Sequence, residues 1–185
     1  MFTYTEFALE NNQVKLTLPD QKQADELFQA IEHDRQELSR WMPWTKTTTT
    51  VENEKKFINY AREQMSQDKL LELTIVVNGV AVGMADLHNI DWENRRAEVG
   101  YWLFSKYQGK GIMTATVKSL LRTAFNGWNL NKVIIQADSE NQASQAVAKR
   151  LGFKQEAVLK EHLYQKQQFS DLVVYAKFAS EWKNE

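Results

Sequence analysis

The sequence predicts a mixed α/β domain with a central, mostly antiparallel sheet of about seven strands and helices beside it. Two observations predict this fold. Three segments that read as strands, 71–77, 80–87 and 95–104, follow one another without a helix between them. A helical segment then separates the third of them from the next strand, 132–138. A doubly wound nucleotide-binding fold would alternate strand and helix more strictly, and 185 residues fit one domain, 1–185.

The first third of the chain predicts one strand and two helices. Hydrophobic residues alternate with polar ones from Val14 to Leu18, which is typical of a strand, and Pro19 ends it. Asp20 is an N-cap for a helix with an apolar stripe through Leu27 and Ile31. An aromatic stretch follows, and a second helix begins at about residue 51.

The rest of the chain predicts the sheet and two further helices. Asn78-Gly79 is a two-residue hairpin signal between the first two strands of the meander. Apolar residues from Met113 to Trp128 recur at helical spacing, and a second helix runs from Asn141 to Leu151 with Gly152 as its C′ residue. The last two strands are predicted at about 153–164 and 169–178.

Composition excludes several classes of protein. The net charge of −1 argues against a general nucleic-acid binder, and the lack of cysteine excludes disulfides, thiolate metal sites and a cysteine nucleophile. No apolar run reaches the roughly 18 residues that a membrane span needs, and no signal peptide is visible. We expect a cytoplasmic protein that binds neither nucleic acid nor membrane.

The glycine turn, residues 106–111, is the strongest local signal for a ligand. It reads Lys-Tyr-Gln-Gly-Lys-Gly and lies between a strand and the start of a helix. Unpaired N–H groups and the helix dipole attract an anion there, and glycines permit positive φ. The dinucleotide fingerprint would need a third glycine where Thr114 stands, and a Walker A loop is absent. The turn therefore indicates a phosphate site, although a glycine pair alone also suits an ordinary tight turn.

The surrounding motifs resemble the acetyl-CoA core of the GNAT superfamily of N-acetyltransferases. They are Arg-Ala-Glu-Val-Gly-Tyr-Trp-Leu at 96–103, Tyr-Gln-Gly-Lys-Gly-Ile-Met-Thr at 107–114, Asn-Gln-Ala-Ser-Gln-Ala-Val at 141–147 and Lys-Arg-Leu-Gly-Phe at 149–153. With Trp-Met-Pro-Trp at 41–44, they resemble the branch of the ribosomal-protein serine and alanine N-acetyltransferases. Lys106 departs from that pattern, which usually has Gln or Arg; lysine keeps the charge and loses the forked donor.

The resemblance implies acetyl-CoA as cosubstrate and a sheet that splays between strands 95–104 and 132–138, where the pantetheine arm would lie. It assigns cofactor contacts to Leu103, Phe104, Lys106, Gln108, Gly109, Lys110, Gly111, Ile112, Met113, Thr114, Asn141 and Ser144. A freed backbone N–H near Leu103 and Phe104 would polarise the thioester carbonyl. Capping is the simpler role for Asn141.

Three residues are candidates for the chemistry. Glu98 shares a strand face with aromatic residues, and we expect burial to raise its pKa toward that of a general base. The alternative is a salt bridge from Glu98 to Arg95 or Arg96. The resemblance implies Ser144 or Tyr164 as the acid that protonates the departing thiolate; as a plain helix or surface residue, neither would need this explanation.

The acceptor side has weaker signals. Trp41 and Trp44 are candidates to floor the acceptor pocket, although aromatic loop residues are more often core plugs. His88 is a candidate to face the substrate, with a structural role as the alternative. Acidic residues at 32, 34 and 37 would suit a polyamine or simply a solvated helix end. The histidines show no metal spacing, and we propose no metal site.

Three function classes follow. The first is direct acetyl transfer to an amine, with a protein N-terminal α-amine ahead of a polyamine, amino acid or aminoglycoside. The second is a non-catalytic acyl-CoA sensor, and the third, a dinucleotide-dependent oxidoreductase, is disfavoured by the missing glycine. A homodimer is common in this branch, and the sequence leaves the oligomeric state open.

Overall fold

The computed structural model describes residues 2–9, 11–165 and 167–182. It contains one sheet of eight strands: β1 Thr3–Leu9, β2 Asn12–Thr17, β3 Leu71–Val77, β4 Val80–Asp91, β5 Arg96–Leu103, β6 Lys132–Asp138, β7 Lys154–Gln165 and β8 Gln168–Phe178. Their order across the sheet is β1-β2-β3-β4-β5-β6-β8-β7. Every neighbouring pair is antiparallel except β5 and β6, which are parallel.

Four α-helices flank the sheet: α1 Ala24–Leu38, α2 Val51–Ser66, α3 Ile112–Arg122 and α4 Gln142–Arg150. Asp20 and Gln23 form a capping box that starts a short 3-10 turn ahead of α1, and Thr50 and Asn53 form one at the start of α2. These caps satisfy backbone N–H groups that a helix start otherwise leaves unpaired.

The two faces of the sheet bury different cores. Leu73, Ile75 and Leu103 belong to the face that packs with α3, together with Val117 and Leu120. The opposite face packs with the first two helices through Met84 and Trp102 of the sheet, Leu27 and Ile31 of α1, and Ile58 of α2. Because successive strand residues alternate between the faces, both sides of β5 help to position the site.

The sheet opens between β5 and β6. Their pairing covers only Arg96–Lys132, Ala97–Val133 and Glu98–Ile134, although both strands continue beyond it. The splay predicted at this strand pair is therefore confirmed, and it leaves a gap at the carboxyl ends of both strands.

The mixed, mostly antiparallel fold is confirmed, with two differences. The sheet has eight strands rather than about seven, because residues 3–9 pair with β2 at the edge; their mostly exposed side chains gave no clear alternation. The apolar spacing up to Trp128 does not form one α-helix, since α3 ends at Arg122 and a π-helical turn covers Thr123–Gly127. None of the helices in the described parts of the chain is long and apolar enough to span a bilayer.

Candidate active site

The glycine turn adopts the backbone conformation that its composition predicts. Gly109 and Gly111 have φ of 73° and 76°, and Gly111 is the N-cap of α3. A Cβ on Gly109 would meet no heavy atom within 4 Å, so the turn needs glycine for its positive φ rather than for space. Gly111 has no side chain to cap α3, which leaves the first N–H groups of the helix available to an anion.

A groove of about 620 Å³ begins at this turn and runs through the gap in the sheet. It is lined by residues 99–103 of β5, residues 135–138 of β6, the glycine turn with the start of α3, the first turn of α4, and the loop at 41–43. Gln108, Gly109, Gly111, Ile112, Met113, Thr114, Asn141 and Ser144, all candidate cofactor contacts, lie along it. The structure thus brings most of that set to one surface.

Backbone groups of β5 point into the gap in an alternating pattern. The N–H of Phe104 donates to the carbonyl of Val82 in β4 at 2.8 Å. Backbone N–H groups alternate in direction along a strand, so those of the even-numbered residues of β5 point to β4. Those of Tyr101 and Leu103 point toward β6. In the described chain, both lie beyond the last β5–β6 pair. A free N–H was expected near Leu103 and Phe104: the N–H of Leu103 faces the gap together with that of Tyr101, whereas the N–H of Phe104 is bonded to β4.

Two of the lysines singled out in the sequence lie outside the groove lining. Lys106 and Lys110 are exposed, and their ammonium groups lie 6.0 and 5.4 Å from the centre of the Tyr107 ring. The cation that lines the groove is Arg150, at the end of α4, whose guanidinium donates to Thr114 Oγ1 at 3.1 Å. Arg150 could have been found from its place in the last turn of the predicted helix, where a basic side chain is favoured by the helix dipole.

Ser144 is paired with Tyr101, which was not among the predicted site residues. The hydroxyl oxygens of Ser144 and Tyr101 are 2.9 Å apart, and both residues line the groove. Burial raises the pKa of Tyr101 to about 12, so its phenol stays protonated at neutral pH. Asn141 accepts from the Ser144 N–H at 3.0 Å, which is the capping role, and this leaves its amide N–H₂ as a donor.

Tyr164 lies outside the groove. Its side chain is 62% exposed and packs against Phe169 of β8, with ring centroids 4.7 Å apart. Its neighbours Leu163 and Gln165 line the groove, and strand alternation turns Tyr164 the other way. The tyrosine that contacts Ser144 in the structure is therefore Tyr101 and not Tyr164.

Glu98 has a different partner and a different pKa from those expected. Its Oε2 lies 3.6 Å from Nε2 of His88, whereas Arg95 bonds to Asn129 and Arg96 pairs with Asp91. The interaction with His88 outweighs burial and lowers the pKa of Glu98, so the expectation of a raised pKa is wrong. Glu98 also lies outside the described residues that line the groove.

His88 joins two carboxylates. Its Nδ1 is 2.5 Å from Oδ1 of Asp86, on the other side from Glu98. Burial opposes the charged ring, but the hydrogen bonds and charges of the two acids outweigh it and raise the pKa of His88 to about 10. Gly100 makes room for this arrangement, because a Cβ there would lie 2.6 Å from Oδ2 of Asp86. The glycine thus accommodates the carboxylate of Asp86.

The aromatic loop divides two cavities. Trp41 lines the groove, whereas Trp44 lines a second cavity of about 520 Å³, here called the side pocket. The side pocket is formed by Trp44, Phe57, Tyr60, Gln64, Lys69, Leu70, Glu72, Asp86, His88 and Asn89. The ring of Trp44 lies 6.1 Å from that of Trp102, which lines the groove, so these rings form part of the wall between the cavities.

The acidic end of α1 has structural partners. Asp34 is buried and accepts from both the N–H and the hydroxyl of Ser105, which ties α1 to the segment before the glycine turn. Glu32 pairs with Arg35 and Glu37 with Arg40, although Glu37 also reaches the groove. Across residues 2–9, 11–165 and 167–182, no group of three or more His, Asp or Glu side chains is arranged to hold a metal ion.

Comparison with known proteins shows the family to which the chain belongs. The family described as an acetyltransferase (GNAT) domain matches residues 13–154. A relative from Bacillus subtilis (strain 168), named "Putative ribosomal N-acetyltransferase YdaF", is 33% identical over 176 residues, which cover 95% of this chain and 96% of the relative. The ribosomal-protein-serine acetyltransferase of Escherichia coli (strain K12) is 26% identical over 153 residues, 82% of this chain and 84% of that one.

A solved structure extends the comparison to the fold. The microcin C7 self immunity acetyltransferase MccE, in complex with acetyl-CoA and AMP, superposes with a TM-score of 0.85 and 27% identity, covering 89% of this chain and 92% of that one. The family match covers well over half of the sequence, and the relatives agree with it along almost the full chain. This chain therefore belongs to the GNAT family of N-acetyltransferases.

Proposed function

We propose that this enzyme transfers the acetyl group of acetyl-CoA directly to the α-amine at a protein N-terminus, and that residues 1–185 act as one catalytic domain. The observation that carries the proposal is the continuous groove, which joins an uncapped helix start to the Ser144–Tyr101 pair through the gap in the sheet. The names of two relatives as ribosomal-protein acetyltransferases support a protein acceptor.

The residues present fit acetyl-CoA. The N–H groups at the start of α3 and the guanidinium of Arg150 suit its phosphates, while Lys106 and Lys110, exposed in the turn, add positive charge outside the groove lining. The N–H groups of Tyr101 and Leu103 and the amide of Asn141 suit the pantetheine arm and the thioester carbonyl. MccE, a structural neighbour at 27% identity, is in complex with acetyl-CoA.

Ser144 is the proposed acid, and Tyr101 positions it. The phenol of Tyr101 can donate to the carbonyl of Ser144 at 3.2 Å or to Ser144 Oγ at 2.9 Å. When it donates to Oγ, the hydrogen of the serine hydroxyl is left to point into the groove. In the transfer, the amine nitrogen bonds to the carbonyl carbon while the carbon–sulfur bond breaks. Ser144 gives its proton to the departing sulfur, and the amine nitrogen releases a proton to solvent. Ser144 then takes a proton back from solvent.

The acceptor amine is proposed to react in its neutral form without a strong base. Glu98 is ionised and paired with protonated His88, so we assign it to positioning His88 and Asp86. An α-amine has a pKa of roughly 8, against about 10.4 for lysine, so a useful fraction is neutral near neutral pH only for the α-amine. This difference favours an N-terminal acceptor over a lysine side chain.

Direct attack is favoured because the chain has no cysteine to carry the acetyl group. The test is thiol release from acetyl-CoA with N-terminal peptides, free amino acids, polyamines and aminoglycosides as acceptors. We expect N-terminal peptides to give the highest kcat/KM. Turnover of small amines alone would refute the protein acceptor, and acetyl-CoA binding without turnover on any amine would indicate a sensor.

A further inference from the structure

A buried acid of α2 interacts with Glu72, which lines the side pocket, and one of its oxygens lacks a hydrogen-bond partner among the described residues. Glu54 of α2 is 3% exposed, and its Oε1 has no hydrogen-bond partner in the described chain. A buried carboxyl group without a partner costs free energy of folding. Burial raises the pKa of Glu54 to about 7, which shows the strength of that cost.

Two further carboxyl groups belong to the sheet and line the side pocket. Glu72 of β3 is also 3% exposed and lies opposite Asp86 of β4 in the strand register. Burial, with the charges of Asp86 and Glu54 added to it, raises the pKa of Glu72 well above its ordinary value. Glu72 and Asp86 lie directly opposite each other and both line the side pocket, so their like charges favour a cation between them. Glu54 adds a third carboxyl group that interacts with Glu72.

The cations already present do not neutralise this cluster. His88 is shared between Asp86 and Glu98, which also carry negative charge. Lys69 lines the side pocket, but it is exposed and its ammonium donates to Gln67 at 2.7 Å. Glu54 and Glu72 thus have no cationic partner among the described residues.

The side pocket also has the shape and position of a ligand site. Its volume is about 520 Å³, and the aromatic rings of Trp44, Phe57 and Tyr60 line it with Glu72 and Asp86. Aromatic faces and carboxylates together suit an organic ammonium or guanidinium ion. The side pocket adjoins the groove at two places. Gly100 of the groove lies against Asp86 of the side pocket, and Trp102 of the groove lies against Trp44 of the side pocket.

We propose that Glu72 and Asp86, with buried Glu54 interacting with Glu72, bind a second positive charge on the acceptor in the side pocket, so that the enzyme prefers an N-terminus followed closely by a lysine or arginine side chain. This inference rests on the proposed function and names its substrate class. The α-amine loses its proton and reacts, while the side-chain ammonium, with its higher pKa, stays charged and occupies the side pocket. A diamine carries the same chemistry on a small molecule.

The first experiment compares kcat/KM for two peptides that differ only in lysine or norleucine at the second position, and for diaminobutane against butylamine. We expect the lysine peptide to be preferred at least about tenfold, the effect of roughly one well-placed charged hydrogen bond. Preference for diaminobutane over both peptides would assign the second charge to a small molecule. Equal rates for lysine and norleucine, and for diamine and monoamine, would overturn the inference.

The variants Glu54→Gln and Glu72→Gln keep the side-chain shape and remove the charge. We therefore expect the ratio of kcat/KM for the lysine peptide to that for the norleucine peptide to fall toward one. Glu52→Gln is the matched control on the same helix, because Glu52 is exposed and paired with Lys55. A preference that survives in both buried variants would contradict the assignment.

A binding measurement separates this inference from the proposed function. We expect diaminobutane to raise the melting temperature of the wild-type protein more than butylamine does, and the difference to vanish in Glu54→Gln. If no amine is acetylated but this difference is present, the acetyltransferase proposal fails and the cation site stands. If acetylation occurs and neither preference nor stabilisation is found, only the cation site fails.

Discussion

At the scale of single residues, the pair formed by Ser144 and Tyr101 offers the sharpest test of the chemistry. Ser144→Ala removes the proposed acid, and we expect kcat to fall about 100-fold, the lower range for general acid catalysis, with little change in KM for acetyl-CoA. Tyr101→Phe removes the group that orients the serine and should lower kcat by a smaller factor. Thiol-release kinetics measure both.

The control for this pair is Tyr164→Phe, on an exposed side chain that packs against Phe169. We expect it to retain the wild-type kcat. A loss with Tyr164→Phe that matched the loss with Ser144→Ala would return the acid role to Tyr164. Fully active Ser144→Ala would show that the thiolate leaves without help from this hydroxyl.

The buried acid Glu54 makes a prediction about stability and pH. Its pKa is about 7 in the folded protein against 4.5 as the ordinary value, so its contribution to stability is fully present below pH 4.5 and is lost as pH rises through 7. Glu54→Gln should therefore stabilise the protein by up to about 3 kcal/mol near pH 8, which is roughly 5–10 °C in melting temperature, and by little near pH 5.

Thermal melts at the two pH values check this expectation, with Glu52→Gln as the control that should show no such pH-dependent gain. A Glu54→Gln variant that melted lower than the wild type near pH 8 would mean that the ionised carboxylate has a stabilising partner. A more stable variant with poorer discrimination between acceptors would show that stability is sacrificed for binding at this position.

At the scale of elements, the glycine turn before α3 depends on backbone conformation. Gly111 has φ of 76°, and an L-residue in that conformation costs about 1–2 kcal/mol. Gly111→Ala should therefore lower the melting temperature by a few degrees and raise the Kd for acetyl-CoA, because relief of the strain would move the start of α3. Calorimetry measures both quantities.

Gly127→Ala is the matched control, since a Cβ at Gly127 meets no heavy atom within 4 Å and Gly127 is not among the residues with positive φ. It should be neutral or slightly stabilising. If Gly111→Ala behaved in the same way as Gly127→Ala, the positive φ at the turn would have no role in holding the cofactor.

The elements also show what sequence reasoning can reach. The glycine turn, the meander and the α4 cap are local, because a few adjacent residues determine each of them. The pairing of β1 with β2 was not visible, because the half-buried face of β1 includes polar Thr5 as well as Phe7 and Leu9, while Ala8 on the exposed face is apolar, so the sequence shows no clear alternation. The Ser144–Tyr101 contact spans 43 residues, and the electrostatic interaction of Glu54 with Glu72 joins a helix to a strand, so both depend on tertiary packing that no local pattern encodes.

The pKa of Glu98 illustrates the same limit. Its place in the sequence correctly indicated a strand face with aromatic residues, but His88 lies opposite it in the antiparallel register. The charge of that neighbour outweighs burial and reverses the expected direction of the pKa shift. A candidate base can be located from sequence, but its proton affinity depends on partners from another strand.

At the scale of the whole molecule, the sheet consists of two parts that meet along a short seam. Strands β1–β5 form one part and β6–β8 the other, and only three residue pairs of β5 and β6 join them within the sheet. Pantetheine between the two strands would supply the hydrogen bonds that the splay leaves out.

We therefore expect acetyl-CoA to protect the amide of Tyr101 strongly from hydrogen exchange, while the amide of Trp102, bonded to β4, is already protected without it. NMR-detected exchange with and without acetyl-CoA measures both amides in one sample. Equal protection of Tyr101 and Trp102 in the free protein would show that the gap is closed in solution, and unchanged exchange at Tyr101 with saturating acetyl-CoA would show that the arm binds elsewhere.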